Sequence, residues 1–261
     1  MKIIDCHVHS DLSFDSREPM ENYVRNAALN GDEYFITTEH FDLESRIMDG
    51  EDIAADLDRQ QQIIKELNEK YPVKVLLGVE IGWKPSIHNR DVAVASSLPF
   101  DMILLSLHET DEADVATEEF RIGKTVDQCY DEYLDCIIQA INAFDNFDVF
   151  THIDYILRYV GHTDLSHHKE KLTTVFKLLM EKGKCLEINT KTFPDPQAEE
   201  RMEYLVKLYA SLGGNSITLG SDAHFANKHK NGFDQVIDCL KRNGIDHVCA
   251  FIERKEIHIP I

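Results

Sequence analysis

Several things are scarce in this chain, and each scarcity narrows what it can be. One tryptophan and seven prolines occur in 261 residues, and no stretch rich in glycine, proline and serine marks a linker between separate halves. No run approaches the roughly 18 apolar residues of a membrane-spanning helix, and the opening Met-Lys-Ile-Ile-Asp lacks the apolar region of a signal peptide. A cytoplasmic protein without a membrane partner is expected. Positive charge is short: 27 Lys plus Arg stand against 47 Asp plus Glu, a formal net charge of −20. With no basic cluster to neutralise phosphates, nucleic acid is excluded as a partner. The six cysteines (Cys6, Cys129, Cys136, Cys185, Cys239, Cys249) contain no C-x-x-C pair and read as reduced, mostly buried thiols.

What is present is a core-forming composition, 43% hydrophobic, with apolar runs too short for helices. They lie at Ile3 to Cys6, Tyr34 to Thr38, Val73 to Ile81, Met102 to Leu107, Val149 to Thr151, Cys185 to Ile188 and Ser216 to Leu219. Longer amphipathic stretches separate them, including Ile53 to Leu67, Leu172 to Met180, Met202 to Leu212 and Phe233 to Leu240. Strand followed by helix, repeated, predicts a parallel sheet. Seven units without a linker predict an α/β fold, a distorted seven-stranded (β/α)7 barrel spanning residues 1–261 as a single domain, with an open doubly wound sheet as the alternative. The segment Asp111 to Thr125 reads as a long acidic loop.

Thirteen histidines are the conspicuous surplus. After the predicted strands stand HVHS with His7 and His9, TTEH with His40, GVEIG with Glu80, SLHE with His108, THID with His152, and GSDAH with Asp222 and His224. In parallel α/β folds the C-terminal strand ends form one rim. His7 and His9, two apart on a strand, point to one side. Imidazoles and carboxylates without thiolate suit Zn, Fe or Mn. The ligands outnumber what one ion takes, and Glu80 is the natural bridge, so two to three divalent transition metals are inferred.

These motifs resemble the polymerase and histidinol phosphatase (PHP) domain family, over His7 to His224. Within it, FDS at Phe14 to Ser16, HIDYILRY at His152 to Tyr159 and EINT at Glu187 to Thr190 are most similar to stand-alone histidinol-phosphate phosphatases. The resemblance implies a trinuclear centre with nine ligands: His7, His9, Asp15, His40, Glu80, His108, His152, Asp222 and His224. It groups His7, His9 and Asp222 on one ion, His108 and His152 on a second with Glu80 bridging, and Asp15, His40 and His224 on a third. Alone, Asp15 before Ser16 reads equally as a turn or cap residue. The activity implied is hydrolysis of a small phosphomonoester, L-histidinol phosphate, in histidine biosynthesis; a different phosphate ester is the alternative.

The resemblance places a phosphate-binding arginine at Arg158 and makes Asp222, His224 and Arg158 the groups at the reacting phosphate. Family members carry a second arginine shortly after EINT, but this chain reads EINTKTFPDPQAEER and offers Lys191, a point cation without bidentate geometry. Trp83, with Lys84 and His88, is expected on a rim loop in reach of the substrate. His229, Asp222 or a bound water could protonate the leaving group. His162, His167 and His168 read as solvated, and His247 and His258 as residues without function. The acids Glu109, Asp111, Glu112 and Asp114 read as a solvated loop, one of whose carboxylates could meet a cationic amine.

Overall fold

The computed structural model describes residues 1–261. Seven strands form one sheet in the order β2-β1-β3-β4-β5-β6-β7. These are β1 (Tyr34–Ser45), β2 (Glu51–Ala54), β3 (Lys74–Gly82), β4 (Met102–Ser106), β5 (Val149–Phe150), β6 (Cys185–Asn189) and β7 (Ile217–Gly220). Every neighbouring pair is parallel except β1 and β2. β3 is buried beyond its first residue and β4 throughout, the expected outcome when side chains fill the interior on one face and helices cover the other.

Six of the seven expected strands are these parallel ones. The seventh, at the N-terminus, is an extended segment rather than a regular strand, yet it completes the ring. Cys6 N–H donates to Leu219 O at 2.8 Å, Asp222 N–H to His7 O at 2.8 Å, and Thr38 N–H to Val8 O at 2.9 Å. Residues 4–9 thus lie between β7 and β1, and a distorted seven-stave barrel results. β1 runs seven residues past its expected end, turns, and pairs with β2 outside the ring.

The helices are α1 (Met20–Asn30), α2 (Leu57–Lys70), α3 (His88–Ala95), α4 (Glu118–Arg121), α5 (Val126–Ala143), α6 (Leu157–Val160), α7 (Lys169–Glu181), α8 (Pro196–Ser211) and α9 (Phe233–Arg242). Their starts follow local chemistry. Asp56 caps α2 by accepting from Arg59 N–H at 2.9 Å, Thr125 and Gln128 form a capping box on α5, and α8 begins with Pro196 behind the cap Asp195. α5 buries Tyr130, Tyr133, Leu134, Ile137 and Ile141, a stripe at helical spacing. One cluster of 70 buried apolar residues runs through the whole chain. No helix is long and apolar enough to cross a membrane.

The C-terminal residues form a hairpin of β8 (His247–Ile252) and β9 (Lys255–Pro260) that the strand reading missed. Its turn docks below the sheet. Arg254 N–H donates to Asp101 O at 2.9 Å and Arg254 Nε lies 2.6 Å from Asp148 Oδ2, where Asp101 and Asp148 directly precede β4 and β5. The hairpin therefore covers the N-terminal ends of the strands.

The acidic segment is only partly a loop. Glu109 is 6% exposed, accepts from Ser45 Oγ at 2.5 Å and pairs with Lys84 Nζ at 3.1 Å, while Glu118–Arg121 is helical. His168 is likewise not solvated. It is buried, with Nδ1 2.7 Å from Asp131 and Nε2 3.1 Å from Thr163 Oγ1, because the turn before α7 folds it against Tyr130. His167, 61% exposed, does face water.

Asp91 on α3 gives a stability prediction. Both its carboxylate oxygens are buried without a hydrogen bond. Burial, and then the Asp42 charge, push its pKa up to about 8. A folded-state pKa above the unfolded one destabilises progressively as pH rises from about 4 and levels off above about 8. Asp91→Asn is therefore expected to gain stability over the parent by up to about 1.4 kcal/mol per pH unit across that window. Urea unfolding at pH 5 and pH 8.5 checks it; a gap that does not widen with pH refutes it.

Candidate metal centre

At the C-terminal rim the nine expected ligands converge. Glu80, fully buried near the end of β3, stands at the middle, and its Cα partner across the ladder is His40 on β1. Glu80 Oε2 lies 3.3 Å from His7 Nε2, 3.5 Å from His9 Nε2 and 3.0 Å from His40 Nδ1. Its other oxygen, Oε1, lies 3.3 Å from His108 Nε2 and 2.8 Å from His152 Nε2. The outer members follow: His9 Nε2 is 3.5 Å from Asp222 Oδ1, and Asp15 Oδ2 is 2.7 Å from His224 Nε2 and 3.7 Å from His40 Nε2.

Triads of these atoms that could share an ion are His7, His9 and Asp222; His7, Glu80 and His152; His40, Glu80 and His108; and His9, His40 and His224. The donors fit divalent metals on direct grounds. Glu80 Oε2 and His152 Nδ1 are buried without a hydrogen bond, and His7 and His9 bring ring nitrogens within 3.0 Å of each other. A packed core would not gather lone pairs in that way without a cation to share them.

Backbone strain helps to aim two ligands. His152 and Asp222 have φ of 20° and 50°, uncommon for residues with a side chain, just past the ends of β5 and β7.

Three further carboxylates support the rings, two by direct contact and one through Ser13, whose Oγ lies 3.2 Å from His9 Nδ1, and the motif reading did not single them out. Glu187 Oε1 lies 2.6 Å from His7 Nδ1, and its Oε2 accepts from His152 N–H at 2.8 Å. Asp42 Oδ1 lies 2.6 Å from His108 Nδ1. Glu39 accepts from Ser10 Oγ and Ser13 Oγ, both at 2.6 Å, and from Thr37 Oγ1, tying the loop after His9 to β1. Carboxylates behind metal-binding imidazoles fix tautomer and ring plane. Glycines make room for two of them: Gly82, the ladder partner of Asp42, and Gly220, the partner of Asn189, where any Cβ would overlap the Asp42 or Glu187 carboxylate. The available signal was the acids flanking His40 in EHFD and the acid that opens EIN.

The electrostatics follow from this packing. Burial alone would raise the Glu80 carboxyl, but the His7, His40 and His108 rings outweigh it and hold it well below the ordinary carboxylate range. Burial opposes charge on His108, yet Asp42 and Glu80 push it up to about 10. His9 and His152 are lowered, chiefly by burial.

Arg158 and Lys191 flank the centre. Arg158 Nη1 donates to Asp222 Oδ2 at 3.1 Å and Nη2 to Asn189 Oδ1 at 2.9 Å, with its guanidinium 5.2 Å from the Tyr155 ring centre. Lys191 Nζ donates to Asp222 Oδ1 at 2.9 Å and lies 3.0 Å from His224 Nδ1. Both line a cavity over the centre, whose wall includes Phe14, Ile47, Tyr155, Tyr159 and Asp114.

Trp83 does not join them. It is 2% exposed, donates from Nε1 to His88 Nδ1 at 3.1 Å, and is absent from the cavity wall, because β3 continues into a turn that folds the indole into the core. Lys84 is held by Glu109 and the Glu44 carbonyl. His229 is packed against Tyr23 and Phe35 beside Asp5, outside the cavity.

A barrel whose rim carries this constellation defines a class, and the chain belongs to the PHP domain family, whose model matches residues 5–191. It is 31% identical over 258 residues to a histidinol-phosphatase of Lactococcus lactis, covering 96% of this chain and 95% of that protein. A probable histidinol-phosphatase of Clostridium acetobutylicum is 28% identical, with 85% and 87% covered. The crystal structure of the Lactococcus lactis histidinol phosphate phosphatase, complexed with Zn, L-histidinol and phosphate, superposes with a TM-score of 0.89 at 31% identity, covering 98% of this chain and 99% of that one.

Proposed function

We propose that this protein is a cytoplasmic, metal-dependent phosphomonoesterase that hydrolyses L-histidinol phosphate to L-histidinol and phosphate in histidine biosynthesis, with residues 1–261 acting as one catalytic domain. The observation that carries the reading is the ring of six imidazoles and two further carboxylates around Glu80. The likeness to the Lactococcus protein over nearly the whole chain supports it. Two to three ions of the Zn, Fe or Mn type would be held by His7, His9 and Asp222, by Glu80, His108 and His152, and by Asp15, His40 and His224. Bound there, such ions neutralise phosphoryl oxygens and turn water into a nucleophile near neutral pH.

The chain's own groups position the ester. Asp222 and Asn189 hold two of the Arg158 nitrogens, which fixes the guanidinium plane and leaves its remaining N–H bonds for phosphoryl oxygens. Asp222 Oδ1 and His224 Nδ1 hold the Lys191 ammonium between them at the cavity wall, where it adds a point charge for the ester. Asp114 faces the same cavity and supplies counter-charge to a cationic amine on the leaving alcohol. Nothing basic outside this cavity calls for a nucleic-acid partner.

Arg158→Ala is expected to lower kcat/KM by about 10- to 100-fold, the worth of a charged hydrogen bond, with metal content unchanged; an unaltered kcat/KM removes Arg158 from the substrate. Lys191, the cation this chain offers in place of the second arginine that the resemblance implies, favours a second reading in which the ester is a different small phosphomonoester. The test is phosphate release from histidinol phosphate and a panel of other phosphomonoesters, with His152→Ala as control. A preference of about 100-fold or more for histidinol phosphate supports the first reading. Even, His152-dependent turnover across the panel supports the second.

A further inference from the structure

We propose that the C-terminal hairpin holds a second, structural metal site for one zinc-like divalent ion, made by His247, Cys249, His258 and Glu256. The hairpin register sets it up. His247 and Cys249 are two apart on β8, Glu256 and His258 two apart on β9, and Cys249 is the Cα partner of His258. Paired residues of an antiparallel ladder share a face and alternate residues return to it, so all four side chains emerge on one side of the ribbon.

The donor atoms are close enough to be drawn onto one ion. One atom from each of His247, Cys249 and His258 lies within 4.8 Å of the others. The edges of a tetrahedral zinc site with nitrogen and sulfur ligands are about 3.3 to 3.6 Å, which side-chain rotation alone can reach. Glu256 Oε1 joins them already: Cys249 Sγ donates to it at 2.9 Å, and His258 Nε2 lies 3.0 Å away. The two imidazoles stack at 4.1 Å.

His247 supplies an independent sign. Its Nδ1 lies 2.8 Å from Asp246 Oδ1, whereas Nε2 is buried and has no hydrogen bond. A carboxylate behind one ring nitrogen, with the other nitrogen left for the ion, is how metal-binding histidines are commonly held. On loading, the Cys249 thiol gives up its proton to water past Glu256, and the thiolate bonds the metal.

The site lies at the foot of the barrel, far in sequence and position from the phosphoryl chemistry, where features of this fold serve stability. It ties β9, the last strand of the chain, to β8. It does not depend on which ester the protein hydrolyses.

The thiolate provides the test, because none of the ligands around Glu80 is a cysteine. Full-length untagged protein loaded with Co(II) is expected to show a thiolate-to-cobalt charge-transfer band in the near ultraviolet, and to bind one more equivalent of metal than His258→Ala. The band should vanish in His258→Ala and in Cys249→Ser, with phosphomonoester turnover in His258→Ala retained. His258 is 57% exposed, so its replacement tests the site even if the buried Cys249→Ser variant does not fold. No band in the parent, a band that persists in Cys249→Ser, or equal metal content in parent and His258→Ala overturns the proposal.

Discussion

Replacing Glu80 with alanine is expected to lower kcat for phosphomonoester hydrolysis by at least about 10³, the scale at which a lost catalytic metal is felt. The reason is geometric. Its two oxygens face five of the six imidazoles of the centre, so its removal leaves the inner rings without a common anion. His152→Ala should fall as far, since its Nε2 makes the shortest contact to Glu80, at 2.8 Å. His167→Ala, on the exposed turn before α7, should leave turnover unchanged and serves as the control. Steady-state kinetics with metal content measured on the same samples decides it. Near-normal turnover in either centre variant removes that residue from the metal assignment.

The second large effect concerns a residue that binds no metal. Glu187→Ala should weaken metal affinity or activity by about 10- to 100-fold, the usual cost of losing a carboxylate that orients a ligand. Glu187 holds the His7 ring and the His152 backbone at once, and a glycine at 220 leaves it the space to do so. Gly220→Ala should therefore reproduce the loss without removing any charged group, because the new methyl overlaps both the Glu187 carboxylate and the His7 side chain. Glu187→Gln, which keeps an acceptor for the His7 N–H, should be milder than either. Competition against a chromophoric chelator measures all three. If Gly220→Ala binds metal like the parent, the packing argument fails.

What could be read from the chain alone divides along a physical line. The parallel strands were legible because both their faces are buried, which leaves apolar runs such as Val75 to Val79 and Met102 to Leu105. The convergence of the nine side chains was legible because polar residues at successive strand ends have few reasons to recur. Glu187 and Asp42 were not, since an acid inside a strand motif looks the same whether it meets water or an imidazole from another strand. Trp83 failed for the converse reason: its position after β3 was right for a rim, but its side-chain direction depends on His88, five residues on. β2 and the terminal hairpin escaped because their alternation is broken by charge, as in Lys255 and Glu256, and their pairing is set by docking rather than by pattern. His247 and His258, each unremarkable in sequence, meet only through that pairing.

The threading of residues 4–9 between β7 and β1 has a consequence for how the protein comes into being. His7 and His9 leave the ribosome early, but the groups that fix their backbone, Leu219, Asp222 and Ala223, are made near the end of synthesis. Until then the first segment has no neighbour on one side and the ring stays open. A chain ending before β7 therefore lacks Asp222, His224 and the backbone that seats His7 and His9, however well its earlier helices have formed. The full set of nine side chains therefore stands together only in molecules whose two ends have met.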